Sequence, residues 1–213
     1  MKTTALTLAL AAAILAACAS KPVPPAWQSN AHGALAAYSD AWLKGDSAFA
    51  ETEFARARSE IASTGRPDLV AHAELVRCAT RVAALDSGDC PGFTALALDA
   101  TPAERAYADY LGGRWQGLDP ALLPEQHRAI AAGKGGVAAI ADPLARMVAA
   151  GVLFGAGRIA PADIAVATDT ASAQGWRRPL LMWLGVLLKR AEAAGDSAAA
   201  QRIQRRIDLV SPP

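Results

Sequence analysis

A chain of 213 residues is the length of one domain rather than several. With 53% hydrophobic and 19% charged residues it has the material for a buried core, which excludes a disordered chain. Basic and acidic residues number 21 and 20, so no global charge draws the protein to nucleic acid, and none is expected as a partner.

The chain opens with Met1 and Lys2, followed by an apolar stretch from Ala5 to Ala17. That stretch is too short to span a bilayer, which takes about 20 apolar residues. It has the length of the apolar region of an export signal and ends in small residues, so residues 1–17 read as a signal peptide. Its end, Leu15-Ala16-Ala17-Cys18, resembles the lipobox of bacterial lipoproteins. In that family the cysteine thiol is diacylglycerated, the chain is cut before the cysteine, and the new amine is acylated, commonly with palmitate. The resemblance therefore implies that Cys18 is the lipidated first residue of the mature protein. The alternative is an ordinary secretory signal with a coincidental cysteine. Ala19 stands where Asp often marks inner-membrane retention in that family, so the resemblance implies an outer-membrane lipoprotein facing the periplasm. Acyl chains at about 0.8 kcal/mol per buried methylene anchor a protein without any span. Residues 18–28, with Pro22, Pro24 and Pro25, read as a semi-rigid extended tether between the lipid and an all-helical domain at 29–213.

Apolar residues then recur at helical spacing to the end of the chain, and β-branched runs are short. The pattern predicts helices over about 31–44, closed by Gly45, and from Asp46 as N-cap to about 62. After the break Ser63-Thr64-Gly65-Arg66-Pro67, a third covers about 67–85. Cys78 falls in that helix, and Cys90 follows the turn-like Asp86-Ser87-Gly88-Asp89. With Cys18 lipidated these two form an even pair in an oxidising compartment, where a disulfide is the default; two buried free thiols are the alternative. Thr101-Pro102-Ala103-Glu104 is a capping box with proline at the first helical position. Asp119-Pro120 and Asp142-Pro143 repeat the cap-then-proline start. Helices follow over about 161–173, 178–194 and 196–210, the last two separated by Gly195.

Two segments resemble tetratricopeptide (TPR) helical hairpins, in which small and aromatic residues hold fixed positions around a glycine bend. One carries Tyr38, Ala41, Gly45, Ala50, Phe54 and Ala57; the other Leu188, Ala191, Gly195, Ala200, Gln204 and Ile207, with Gln204 departing from the usual aromatic. A looser candidate runs through Ala150, Gly157, Ala162 and Val166, whereas residues 63–140 keep no 34-residue period. The resemblance implies an all-α single domain of stacked antiparallel hairpins that presents a groove to a protein partner.

No catalytic constellation emerges. His32, His72 and His127 make no zinc-binding pattern and are expected as ordinary surface or partly buried residues; no metal or cofactor is expected. Gly133-Lys134-Gly135-Gly136 lacks the Ser or Thr after the Lys of a phosphate loop and reads as a flexible loop. Glu51, Glu53 and Glu60 would be the material of a glycosidase, but they alternate with Arg56 and Arg58 as on a solvated, salt-bridged helix face.

Two features suggest an interaction surface. Trp176-Arg177-Arg178 combines residue types favoured at binding hot spots, with Trp183 expected in the core. Arg202, Arg205 and Arg206 lie on the last helix, in a segment from Trp176 to Val210 with seven basic and three acidic residues. Such a stripe meets an acidic partner or anionic headgroups, or is simply solvated. The function expected is a membrane-anchored, non-enzymatic adaptor with an envelope protein partner. The alternatives are a cell-wall enzyme and a purely structural envelope component.

Overall fold

The computed structural model describes residues 24–86 and 90–211; the expected export signal, Cys18 and most of the expected tether lie outside that range. Helix α1 runs Ala26–Lys44. It starts inside the segment expected to be tether, because Pro25 (φ −54°, ψ 146°) is the N-cap and its carbonyl accepts the Gln28 amide. The helical domain therefore starts at Ala26, three residues before the expected boundary at residue 29. Gly45, at φ 97°, takes the left-handed turn that stops α1. The Asp46 carboxylate then accepts the Phe49 amide at 3.1 Å and opens α2, Ser47–Ala62. Ala34, Ala50 and Ala57 are fully buried, and the Tyr38 and Phe54 rings lie 5.3 Å apart beside them.

Helix α3, Pro67–Ala83, is the centre of the molecule: α1, α2 and the later helices at Pro91–Thr94, Pro102–Leu111 and Pro143–Gly155 pack on it. Cys78 on α3 and Cys90 at the start of the single-turn α4, Pro91–Thr94, stand at disulfide distance with Cα atoms 5.8 Å apart. Closing a loop of that size stabilises the fold by about 3 kcal/mol through the unfolded state. Helix α5, Pro102–Leu111, begins with the expected capping box: the Glu104 carboxylate accepts the Thr101 amide at 2.7 Å, and Thr101 Oγ1 accepts the Glu104 amide at 3.2 Å.

At Asp119-Pro120 the same kind of start signal produces only a 3-10 turn, Pro120–Leu122. Leu123 precedes Pro124, and the proline ring forces it into extended backbone at ψ 157°, so no helix propagates there. Helix α6 restarts at Glu125–Ala131, and another 3-10 turn covers Val137–Ala139. Asp142 caps α7, Pro143–Gly155, by accepting the Ala145 amide at 2.7 Å. Helices α8, Pro161–Ala173, α9, Arg177–Ala193, and α10, Ser197–Val210, complete the chain.

The protein is all-α, with antiparallel hairpins α1–α2, α7–α8 and α9–α10 around one hydrophobic core and no strand among the described residues. Gly151 lets α7 lie directly on α3, because a Cβ there would overlap the Val82 carbonyl. The stack closes on itself, since α9 returns to pack on α1. Arg178 Nε donates to the Trp42 carbonyl at 2.7 Å, its Nη2 donates to Ser47 Oγ at 2.6 Å, and its guanidinium lies 4.0 Å from the Trp42 ring centre. No described helix is long and apolar enough to cross a membrane.

Candidate functional site

The residues of the two expected interaction features differ in exposure. Trp176 is 9% exposed: it is the N-cap of α9, tucked into the core after the Gly175 turn, so it is not a surface anchor. Arg178 is the clamp that closes α9 onto α1, and its donors are taken by Trp42 and Ser47. Trp183 is fully buried and packs edge-on against Phe154. Arg177 is exposed at the start of α9, while Arg202, Arg205 and Arg206 are exposed on α10.

Helix α10 is the least committed element of the fold. It buries no residue fully; Ile203, Ile207 and Val210 are half-buried against α9, and Leu209 is 85% exposed. Its one carboxylate, Asp208, accepts a hydrogen bond from Gln204 at 2.7 Å, and its three arginines make no ion pair among the described residues. An amphipathic helix held along one stripe keeps its opposite face free for another surface.

Beside this hairpin, α7, α8 and α9, with Leu85 after α3, border an open groove of about 500 Å³ lined by Phe154, Ile159, Ile164, Leu181, Met182 and Val186. Lys189 and Arg190 stand on its wall, and no carboxylate lines it. Phe154 and Met182 remain 38% and 46% exposed there. Large apolar side chains left open in a concave site mark a binding surface more often than chance exposure does. Gly185 lies in the same wall, where a Cβ would meet nothing within 4 Å. A glycine inside a helix is less stable than alanine by about 1 kcal/mol. At Gly151 packing explains that loss, but at Gly185 no neighbour does.

The carboxylates of α2 are engaged with neighbouring side chains. Glu51 accepts from Arg77 of α3 at 2.6 Å, Glu53 pairs with Arg56, and Glu60 accepts from Asn30 of α1 at 3.0 Å. The α2 face is thus partly a cross-helix network rather than a purely solvated one, since Arg58 also reaches the buried Glu74 at 3.2 Å. A cavity of about 220 Å³ beside the cysteine pair is lined by Glu74, Arg77, Arg81 and Asp86, and Arg81 pairs with Asp86 at 2.9 Å. His32 and His72 are exposed along a cavity of about 400 Å³ shared with Ser39, Asp40 and Trp176. Ser39 is there hydrogen-bonded to Thr80 at 3.0 Å.

His127 is 1% exposed, more buried than its sequence context suggests. Its Nδ1 lies 3.3 Å from the Tyr110 hydroxyl within a cluster of Tyr107, Tyr110 and Trp115 rings. Burial pushes its pKa down to about 4, so it is a neutral structural imidazole at pH 7. Among the described residues no three His, Cys, Asp or Glu side chains are placed to hold a metal ion. The Gly133–Gly136 loop connects α6 to a 3-10 turn rather than a strand to a helix, so it lacks the frame of a phosphate loop.

The groove was not singled out by the sequence, yet a signal is present. From Leu180 to Leu188 every residue except Gly185 is apolar, which is more than the one stripe a helix buries against its neighbours. The surplus, Leu181, Met182 and Val186, is the groove wall. No family model, no curated protein and no solved structure matches the chain.

Proposed function

We propose that the protein is a lipid-anchored lipoprotein of the bacterial cell envelope, outer membrane facing the periplasm, that acts as a non-enzymatic adaptor receiving an acidic protein partner on its C-terminal hairpin. The observation that carries this reading is the arginine face of α10: three exposed guanidinium groups without carboxylate partners, on a helix that α9 holds along one stripe. Charge in the chain is polarised in the same sense. Residues 176–210 hold seven basic and three acidic groups, whereas residues 18–175 hold 13 basic and 17 acidic. Arginine recognises carboxylates through paired, directional hydrogen bonds, and opposite potentials steer partners into register.

The cell-wall enzyme reading has less support. Glycoside hydrolysis takes two carboxylates facing a cleft at fixed separation. Glu51, Glu53 and Glu60 already bond to Arg77, Arg56 and Asn30, and the 500 Å³ groove has no carboxylate in its lining. Cys18 supplies the anchor through its thioether lipid, and the prolines before Ala26 hold the domain off the membrane.

Crosslinking in intact envelopes followed by capture of the protein tests the adaptor: a specific, saturable protein partner is expected, and recovery of none overturns it. The anchor has a separate test. Cys18→Ser is expected to release the protein from salt-washed membranes, and a variant that still sediments with them removes the lipid from the account.

A further inference from the structure

The groove between α7, α8 and α9 is independent of the arginine face and of the adaptor reading. Its lining decides what chemistry fits. Apart from Lys189 and Arg190, the side chains in it are apolar. An extended peptide would bring an amide and a carbonyl at every residue into that lining, and each would lose its water without a side-chain partner. An alkyl chain has no such groups. Its volume of about 500 Å³ lies within the range of small-ligand sites. The two cations make no ion pair among the described residues, so they are free to meet an anionic head beside the apolar lining.

Gly185 supplies the second observation. The fold has no packing need for a missing side chain at that position, because the space where a Cβ would stand is open. What the missing side chain leaves is room along the groove wall. We infer that this groove is a binding site for a single-chain anionic amphiphile, a fatty acid or lysolipid type of molecule taken up from its surroundings, with its chain along Phe154, Met182 and Gly185 and its acid group at Lys189 and Arg190.

The test uses the protein as isolated from membranes, placed in phosphatidylcholine nanodiscs, with a diazirine-bearing palmitic acid as probe and the matching diazirine alcohol as the neutral comparison. After illumination, labelled peptides are mapped by mass spectrometry. The acid is expected to label peptides containing Phe154 and Met182 about tenfold more than the alcohol does. Gly185→Leu fills the open space and is expected to abolish that labelling while raising the melting temperature, because leucine is the better helix former. Paired Lys189→Gln and Arg190→Gln is expected to bring acid and alcohol labelling to the same level. Equal labelling by acid and alcohol in the unaltered protein, or undiminished labelling of a folded Gly185→Leu protein, overturns the inference. Labelling of the groove that arises only when Cys18 is replaced by Ser also overturns it, because the occupant would then be the protein's own anchor.

Discussion

The first and last hairpins share one turn and differ in nearly everything the turn serves. Gly45-Asp46-Ser47-Ala48 and Gly195-Asp196-Ser197-Ala198 are the same four residues. In both, the glycine sits at positive φ and the aspartate caps the next helix, accepting the Phe49 amide at 3.1 Å and the Ala199 amide at 2.8 Å. Yet α2 buries Ala50, Phe54, Ala57 and Ile61, while α10 buries nothing completely. The aligned position decides the difference: Phe54 lies against Tyr38 and beneath the Arg77 guanidinium, whereas Gln204 points to solvent and bonds Asp208. The turn specifies a hairpin; the residue two turns into its second helix specifies whether that helix joins the core. The first hairpin is therefore scaffold, and the last offers surface.

Substitution at the paired positions gives the widest separation. Phe54→Ala is expected to lose about 4 kcal/mol of stability through transfer and cavity terms, and Gln204→Ala to stay within about 0.5 kcal/mol. Denaturant midpoints of the two variants measure both, and comparable losses would erase the distinction.

A third region, around His127, responds to pH. Folded His127 has its pKa near 4 against an ordinary 6.5, so the unfolded chain takes up the proton first as the pH falls. Its effect is absent above pH 6.5; stability declines as the pH falls from 6.5 to about 4, by about 3 kcal/mol in all. His127→Gln keeps an acceptor near the Tyr110 hydroxyl and is expected to flatten this part of the stability profile. An unchanged slope would assign the acid sensitivity to other groups.

The smallest contrast is between the two caps. Asp46→Ala and Asp196→Ala each remove one side-chain cap worth about 1 kcal/mol. Amide hydrogen exchange is expected to show the first as a loss of global stability and the second as fraying of α10 alone. Equal global losses would place α10 in the cooperative core.

Much of the fold is legible in local chemistry. Gly45-Asp46, the Thr101–Glu104 capping box and Asp142-Pro143 stop or start helices through bonds to their own neighbours, so short sequence patterns carry them. Asp119-Pro120 misleads because the decisive residue is Pro124, which lies beyond the start signal and excludes helix at Leu123. The site was less legible for a tertiary reason. Arg178 looks like surface, but its partner Trp42 is 136 residues away and exists as a partner only once α9 has closed on α1. Trp176 follows it inward for the same reason. Arg202, Arg205 and Arg206 were readable because nothing in the fold reaches them. The groove depended on knowing which apolar residues of α9 remain uncovered, and only the packing of α7 and α8 decides that.

We propose that the exposed arginine face of α10 receives a partner while contributing nothing to the fold. Arg202→Glu, Arg205→Glu and Arg206→Glu together reverse that face. Envelope crosslinking with this triple variant, beside its melting curve, is the most direct measurement. An unchanged melting temperature with loss of the captured partner is the predicted result. Full capture by the reversed helix would mean that the arginine face is not where the partner binds.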